Sequence, residues 1–315
     1  MGSDIYLMNK RFCIVTWVYG RKYQGWIPLY IYSIKKNYPE YDIKILIDNC
    51  LSVEIRRLLE KYDMLDTANI YENVLSNLDY VIKNDMEKRC LRWLINGYGL
   101  EDYQYVYWGD IDIYIVQEKV SLLQQHINAI NDSKMNYNNA QRLTIADYIS
   151  SRRTTNKKHL FRLTGLHFVN TKEYYRKNYK TQIRILSYLG QKKRVRWIDK
   201  IFFRDDERCL WLINFLSGNG FPMGSYELSK KVFRPLHGLH FALGRAHEEY
   251  VKIFKSNPTH QDEHKMYYDM FCKEYNDDSK LRELILDLPA YIVEIINSTC
   301  CVWKGHLLKD EIKTG

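Results

Sequence analysis

Apolar positions along this chain fall into short runs, set between polar stretches with helical spacing. Residues 12–17 (Phe-Cys-Ile-Val-Thr-Trp) are apolar enough to form a buried first strand. Residues 26–37 read as a helix, with Pro28 near its start, where a missing N–H costs little, and Pro39 beyond its end. Residues 43–47 form a second strand ending at Asp48-Asn49, and residues 52–62 a second helix with Ser52 as its cap. Strand, helix, strand, helix in this order predicts a parallel sheet with right-handed crossovers.

Residues 80–96 read as a third helix, because Ile82, Met86, Cys90 and Leu94 recur at the spacing of one buried face, with Gly97 and Gly99 as its stop. A strand over 103–108 runs into Gly109-Asp110-Ile111-Asp112, and a second apolar run, Ile113-Tyr114-Ile115, follows. Residues 121–138 read as a polar helix and an Asn-rich loop, and 165–170 as a strand. A helix over 172–189 is expected to place Tyr175, Tyr179, Ile183 and Leu186 on one side. Acids open a shorter helix over 205–216, which suits its positive end, and Gly218-Asn219-Gly220 breaks the chain. Residues 233–244 form a compact segment bearing His and Gly. The last apolar stretch, 280–303, is interrupted by Pro289, which favours packing over an amphipathic membrane helix. The expected organisation is a catalytic domain over 1–245 and a C-terminal extension over 246–315 packed on it.

The 315 residues allow one large domain, or one domain with an appendage. No run approaches the roughly 18 apolar residues of a membrane span, and residues 1–11 lack the apolar core of a secretory signal. The simplest reading is a soluble cytoplasmic protein. Seven cysteines without a C-x-x-C pair suit free thiols rather than a zinc site. Lys and Arg exceed Asp and Glu by 47 to 38, with clusters at Arg152-Arg153, Lys157-Lys158, Lys192-Lys193-Arg194-Arg196 and Lys230-Lys231. None of these clusters carries a nucleic-acid motif, so nucleic acid is not an expected partner. General surface charge is the first reading, and an anionic substrate or a membrane surface the next.

Asp110 and Asp112 are the sharpest signal, because charge is rarely buried without a partner. In an extended chain residues i and i+2 share a face, so the two carboxylates would point together while Ile111, Ile113 and Ile115 enter a core. Convergent carboxylates suit a hard divalent cation, and a cation suits a diphosphate. The plain alternative is a strand end turning over two solvated aspartates. Ligands in open α/β sheets sit beyond the carboxyl ends of the strands, which is where this pair falls.

The run of motifs resembles the nucleotide-sugar glycosyltransferases of the GT-A fold. It combines a βαβ half, an Arg-bearing helix and an aromatic strand into Asp-x-Asp. The later motifs, Gly165-Leu166-His167-Phe168-Val169-Asn170, Asp205-Asp206-Glu207-Arg208-Cys209-Leu210 and His237-Gly238-Leu239-His240, are similar in order to the retaining, glycogenin- and galactosyltransferase-like group. The resemblance covers about residues 10–245. It implies an α/β, Rossmann-like mixed sheet flanked by helices, with a helical C-terminal extension. It also implies Mn²⁺ or Mg²⁺, a nucleoside-diphosphate sugar as donor, a UDP-sugar first, and a hexosyltransferase activity. The acceptor implied is a surface glycan or lipid-linked glycan, as in bacterial polysaccharide synthesis, with peripheral association at the inner face of a membrane.

Carried over residue by residue, the resemblance makes Asp112 the metal ligand and Asp110 a contact to ribose or metal. Thr16, Tyr19 and Asp48 would face the nucleobase or ribose, although Asp48 equally suits a turn or cap. Arg89 and Arg92 would contact the donor, or form a solvated helix face. Asp206, then Glu207 and Asp205, are the candidates for catalysis at the sugar, with helix capping by Asp205 as the alternative. His237 and His240 are candidate third ligands, rivalled by His306, because the Lys-Pro-Trp that often follows the family's histidine is missing. No P-loop, G-x-G-x-x-G or G-x-S-x-G motif offers another enzyme class. A metal-dependent nucleotidyltransferase and a sugar-nucleotide-binding protein without turnover remain alternatives.

Overall fold

The computed structural model describes residues 10–77, 85–139, 162–163, 165–220, 236–241 and 258–302. In chain order the elements are β1 (Lys10–Val18), α1 (Arg21–Gln24), α2 (Ile27–Asn37), β2 (Asp42–Ile47), α3 (Val53–Lys61) and β3 (Asn69–Tyr71). Then come α4 (Asp85–Cys90), β4 (Tyr103–Trp108), β5 (Ile113–Ile115), α5 (Leu122–Ser133), β6 (Tyr137–Asn138) and β7 (His167–Asn170). After these follow α6 (Thr171–Leu189), α7 (Arg196–Phe202), α8 (Asp206–Leu216), β8 (Gly238–His240), α9 (Pro258–Asp277), α10 (Ser279–Asp287) and α11 (Ala290–Val302).

Six strands form one mixed sheet in the order β3-β2-β1-β4-β7-β6, and β5 pairs with β8 in a separate ribbon. β1 runs parallel to β4, and β2 to β3. β7 is antiparallel to both β4 and β6. The mixed α/β sheet and the helical C-terminal region expected from the sequence are both present. Two compact units divide the described chain, each drawn from separated stretches. One holds β1 up to Trp17, with α4, β4, α5, β6, β7 and α6 to α8. The other holds Val18, α1 to α3, β2, β3, the β5–β8 ribbon and α9 to α11.

In the first unit the middle strands are buried on both faces, so β1 reads as a continuous apolar run. Phe168 of β7 packs against Phe12 and Tyr105, with ring centres 6.0 and 5.4 Å apart. The expected helix over 80–96 is shorter in its described part. α4 ends at Cys90 and tightens into a 3₁₀ turn over Leu91–Trp93, where the Trp93 carbonyl accepts from Gln182 Nε2 at 2.8 Å. Cys90 and Leu94 are buried as expected, while residues 80–84 and the side chain of Met86 lie outside the described residues.

Half of the expected face of α6 holds: Leu186 is buried and Tyr175 partly so. Tyr179 and Ile183 are exposed, and the buried side carries Tyr174, Asn178, Thr181, Gln182, Ile185 and Leu189. Polar residues sit on that face because each finds a partner. Asn219 Nδ2 donates to Asn178 Oδ1 at 2.6 Å, Ser217 Oγ to Thr181 Oγ1 at 2.8 Å, and Gln182 to Trp93. A pattern reading that counts only apolar positions misses such a face. β6 is a further addition, in the stretch expected as helix and loop.

In the second unit local signals act as expected. The Ser52 hydroxyl accepts from the Ile55 amide at 3.3 Å, and Pro28 lies in the first turn of α2. α2 also serves β5: Ser33 Oγ accepts from the Ile115 amide at 3.2 Å, and Asn37 Nδ2 donates to the Ile115 carbonyl at 2.9 Å. Asp278 caps α10 and also takes hydrogen bonds from Lys36 and Tyr32. Burial alone would raise its pKa, but these donors hold it below the usual carboxylate range. Pro289 separates α10 from α11. No helix among the described residues is long and apolar enough to cross a membrane.

His167 tests the first unit's core. It is buried between Trp93 and Tyr174, and Asn139 Nδ2 lies 2.9 Å from its Nδ1. Burial, with Arg92 nearby, pushes its pKa down to about 3. The folded imidazole therefore stays neutral while the unfolded one takes a proton below about 6.5, so stability falls as pH falls between those values. Between pH 7 and pH 5 the parent should lose about 2 kcal/mol that a His167→Gln variant keeps, read from urea midpoints at the two pH values.

Candidate functional site

The Asp-x-Asp segment is not one extended strand. β4 ends at Trp108, residues 109–112 form a turn, and β5 belongs to the other sheet. The alternation of faces therefore does not govern Asp110 and Asp112. Asp110 is half-exposed, whereas Asp112 is 3 % exposed. Ile111, Ile113 and Ile115 are buried as expected, but so are Tyr114 and Val116, because the ribbon is covered on both sides.

The ribbon sets what Asp112 meets. Ile113 faces His240, Tyr114 faces Leu239 and Ile115 faces Gly238. The ladder continues at both ends, with the Phe241 amide donating to the Asp112 carbonyl and the Val116 amide to the His237 carbonyl, each at 3.0 Å. Gly238 is required at its rung, since a Cβ there would overlap the Tyr114 carbonyl oxygen. His240 Nε2 stands 3.3 Å from Asp112 Oδ2, with its side chain 24 % exposed.

His237 has a different neighbourhood. It is wholly buried, adopts a left-handed backbone (φ 57°), and its Nδ1 lies 2.6 Å from Glu118 Oε2. The Tyr267 hydroxyl donates to Glu118 Oε1 at 3.0 Å. Glu118 and Tyr267 were not among the sequence candidates, since no motif marks either residue.

Asp48, just past β2, is buried, and its Oδ1 accepts from the Gly20 amide at 3.1 Å. Gly20 has φ 75°, so a turn is tied to the end of the strand. Tyr19 is half-exposed and stacks on Tyr23, with ring centres 5.6 Å apart. These four residues belong to the same unit as the ribbon.

Thr16 and the acidic helix start belong to the other unit. Thr16 is buried, and its hydroxyl has no hydrogen-bond partner among the described residues. Asp205 caps α8, accepting from the Arg208 amide at 2.9 Å, and also faces the Arg162 and Arg208 side chains at 3.6 and 3.4 Å. Glu207 is buried against Arg162 at 2.7 Å, and Asp206 lies 3.3 Å from Arg92. Arg92 also donates to the Gly165 carbonyl at 2.8 Å and lies over the Trp93 ring. Arg89 is exposed. Three acids are thus matched by three arginines, of which only Arg92 was a candidate site residue from the sequence.

A carboxylate oxygen and an imidazole nitrogen together suit Mn²⁺ or another first-row cation. Asp112 and His240 supply that pair. Among the described residues no group of three His, Cys, Asp or Glu side chains is set to hold a metal. A cation here would take its remaining ligands from phosphate and water, as cations at diphosphates do. His306 lies outside the described residues.

No protein-family model and no curated relative matches the chain. Solved structures similar to it are glycosyltransferases. The galactosyltransferase LgtC, solved with donor and acceptor sugar analogues, is 13 % identical over 66 % of this chain and 71 % of its own, with TM-score 0.35. Core-mannan synthase A of Aspergillus fumigatus, in its Mn/GDP form, is 8 % identical over 67 % and 70 %, with TM-score 0.38. The glycosyltransferase GlyE of Streptococcus pneumoniae TIGR4 is 11 % identical over 93 % of this chain, with TM-score 0.42; this chain spans 64 % of GlyE. At these scores the functional reading rests on the residues themselves.

Glu118 is a structural support for one end of the ribbon. A Glu118→Ala variant removes the carboxylate that pairs with both the buried His237 imidazole and the Tyr267 hydroxyl, and should cost about 2–4 kcal/mol in urea unfolding.

Proposed function

We propose that this chain is a GT-A glycosyltransferase that moves a hexose from a nucleoside-diphosphate sugar, a UDP-sugar first, to a glycan or lipid-linked glycan. The observation that carries the reading is the 3.3 Å approach of His240 Nε2 to Asp112 Oδ2. A buried aspartate on an Asp-x-Asp turn has an open-sided imidazole as its neighbour, which is a donor set for a cation shared with a diphosphate.

When bound, Mn²⁺ or Mg²⁺ would neutralise charge on the departing diphosphate without proton transfer. Asp112 and His240 would hold it, and half-exposed Asp110 would serve the ribose or the cation. Asp48 and the turn through Tyr19 and Gly20 would receive the nucleoside, with Tyr19 offering a ring face. Thr16 is assigned to the nucleobase on its position at the end of β1.

Asp206 is the preferred carboxylate for the sugar. Asp205 is committed to its cap and Glu207 is buried against Arg162, while Asp206 is partly exposed and held by Arg92. Arg92 would set the charge and orientation of Asp206, and exposed Arg89 would take the solvent side of the donor. His237, locked to Glu118, would hold the ribbon rather than ligate directly.

A thermal-shift panel of UDP, GDP, CMP and TDP, with and without Mn²⁺, tests the donor site. Mn²⁺-dependent stabilisation should be largest with UDP. Asp112→Asn and His240→Ala should each weaken it by at least about tenfold in nucleotide affinity, or ~1.4 kcal/mol. If no nucleotide stabilises the protein in the presence of Mn²⁺, the reading is wrong.

A further inference from the structure

One stretch of the chain carries a net charge as large as that of the whole. Residues 171–204, which cover α6, α7 and their connection, contain eleven Lys or Arg against only Glu173 and Asp199. That excess of nine equals the formal excess of the whole chain, so everything outside these 34 residues balances to zero. Both helices belong to one compact unit.

The basic side chains lie outward beside apolar ones. On α6, Arg176, Lys180 and Arg184 are exposed at i, i+4 spacing, next to Tyr179 (55 % exposed) and Ile183. Lys192, Lys193, Arg196 and Lys200 are exposed on the connection and α7, next to Val195 and Trp197 (61 % exposed). Their presentation is built in. Arg194 is turned inward onto buried Glu87 and onto Asp199, and donates to the Leu189 carbonyl at 3.4 Å. Tyr188 accepts from the Val195 amide and donates to Asp199 Oδ1, each at 3.1 Å. With Arg194 anchored beneath, the chain on either side carries Lys193, Val195, Arg196 and Trp197 at the surface.

We propose that α6 and α7 dock the protein on an anionic phospholipid bilayer. Lysines and arginines reach acidic headgroups, while Trp197, Val195 and Ile183 enter the boundary between headgroups and acyl chains. Charge complementarity identifies the occupant as anionic, and the aliphatic residues select lipid. A nucleic-acid backbone would use the charge but gain nothing from exposed Val195 and Ile183. None of these residues is among those assigned to sugar transfer, and the proposal does not depend on that chemistry.

Vesicle flotation of the full chain tests it, using phosphatidylcholine vesicles with and without phosphatidylglycerol. Binding should require phosphatidylglycerol and weaken as salt screens the charges. The variant Lys192→Glu/Lys193→Glu/Arg196→Glu/Lys200→Glu should lose at least about a hundredfold in affinity. Arg176→Glu/Lys180→Glu/Arg184→Glu, confined to exposed positions of α6, should move in the same direction and provides an independent fold background. Trp197→Ser should weaken binding while leaving its salt dependence intact. Equal flotation on neutral vesicles, unchanged binding by both charge variants, or tighter binding to a DNA duplex than to anionic vesicles would overturn the proposal.

Discussion

Much of the second unit depends on how closely two short strands approach. The β5–β8 ribbon has three rungs, and one of them admits only glycine, because Gly238 lies against the Tyr114 carbonyl. A slip of one residue would move a side chain into that rung and turn every other side chain to the opposite face. The ribbon is therefore held in a single register, and that register brings Asp112, at the mouth of its turn, to His240. α2 reinforces it from the other edge of β5 through Ser33 and Asn37, so a helix near the start of the chain helps aim a histidine near residue 240.

The first unit has a different organising principle, charge matched to charge. Asp205, Asp206 and Glu207 are adjacent in sequence and would repel one another if left alone. Arg92 and Arg162 reach them from two earlier places in the chain, and Arg208 from the first turn of the same helix. Removing Arg162 takes the arginine from buried Glu207, which costs more than the pair itself contributes, whereas Asp205 is shared between Arg162 and Arg208. The three acids are nevertheless unequal, because Asp205 is taken up by the cap and two arginines and Glu207 is buried, while Asp206 is partly exposed and faces Arg92.

Much of the fold was legible because its signals are local. The strands β1, β2 and β4, the Ser52 cap, Pro28 in the first turn of α2 and the acid-opened α8 each follow from a few neighbouring residues. What escaped depends on residues far apart in sequence. The buried side of α6 carries Asn178, Thr181 and Gln182, and their partners Asn219, Ser217 and Trp93 cannot be inferred from α6 alone. His237 and His240 looked equivalent in sequence. They separate only because Glu118 and Asp112, each more than a hundred residues earlier, claim one apiece. The turn over 109–112 was hidden by apolar runs on both sides, which read as one strand until the two sheets are seen.

The segregation of charge onto α6 and α7 also changes what a bulk property means. A basic isoelectric point usually describes a surface average, yet here it belongs to about a tenth of the chain, and the remainder is electrically balanced. Such a molecule has a preferred way to settle. A cation-exchange resin, a silicate wall or a crowded polyanion would find its attraction on the same pair of helices. Adsorption would thus be an event with a preferred point of contact, set by 34 residues rather than by the average surface.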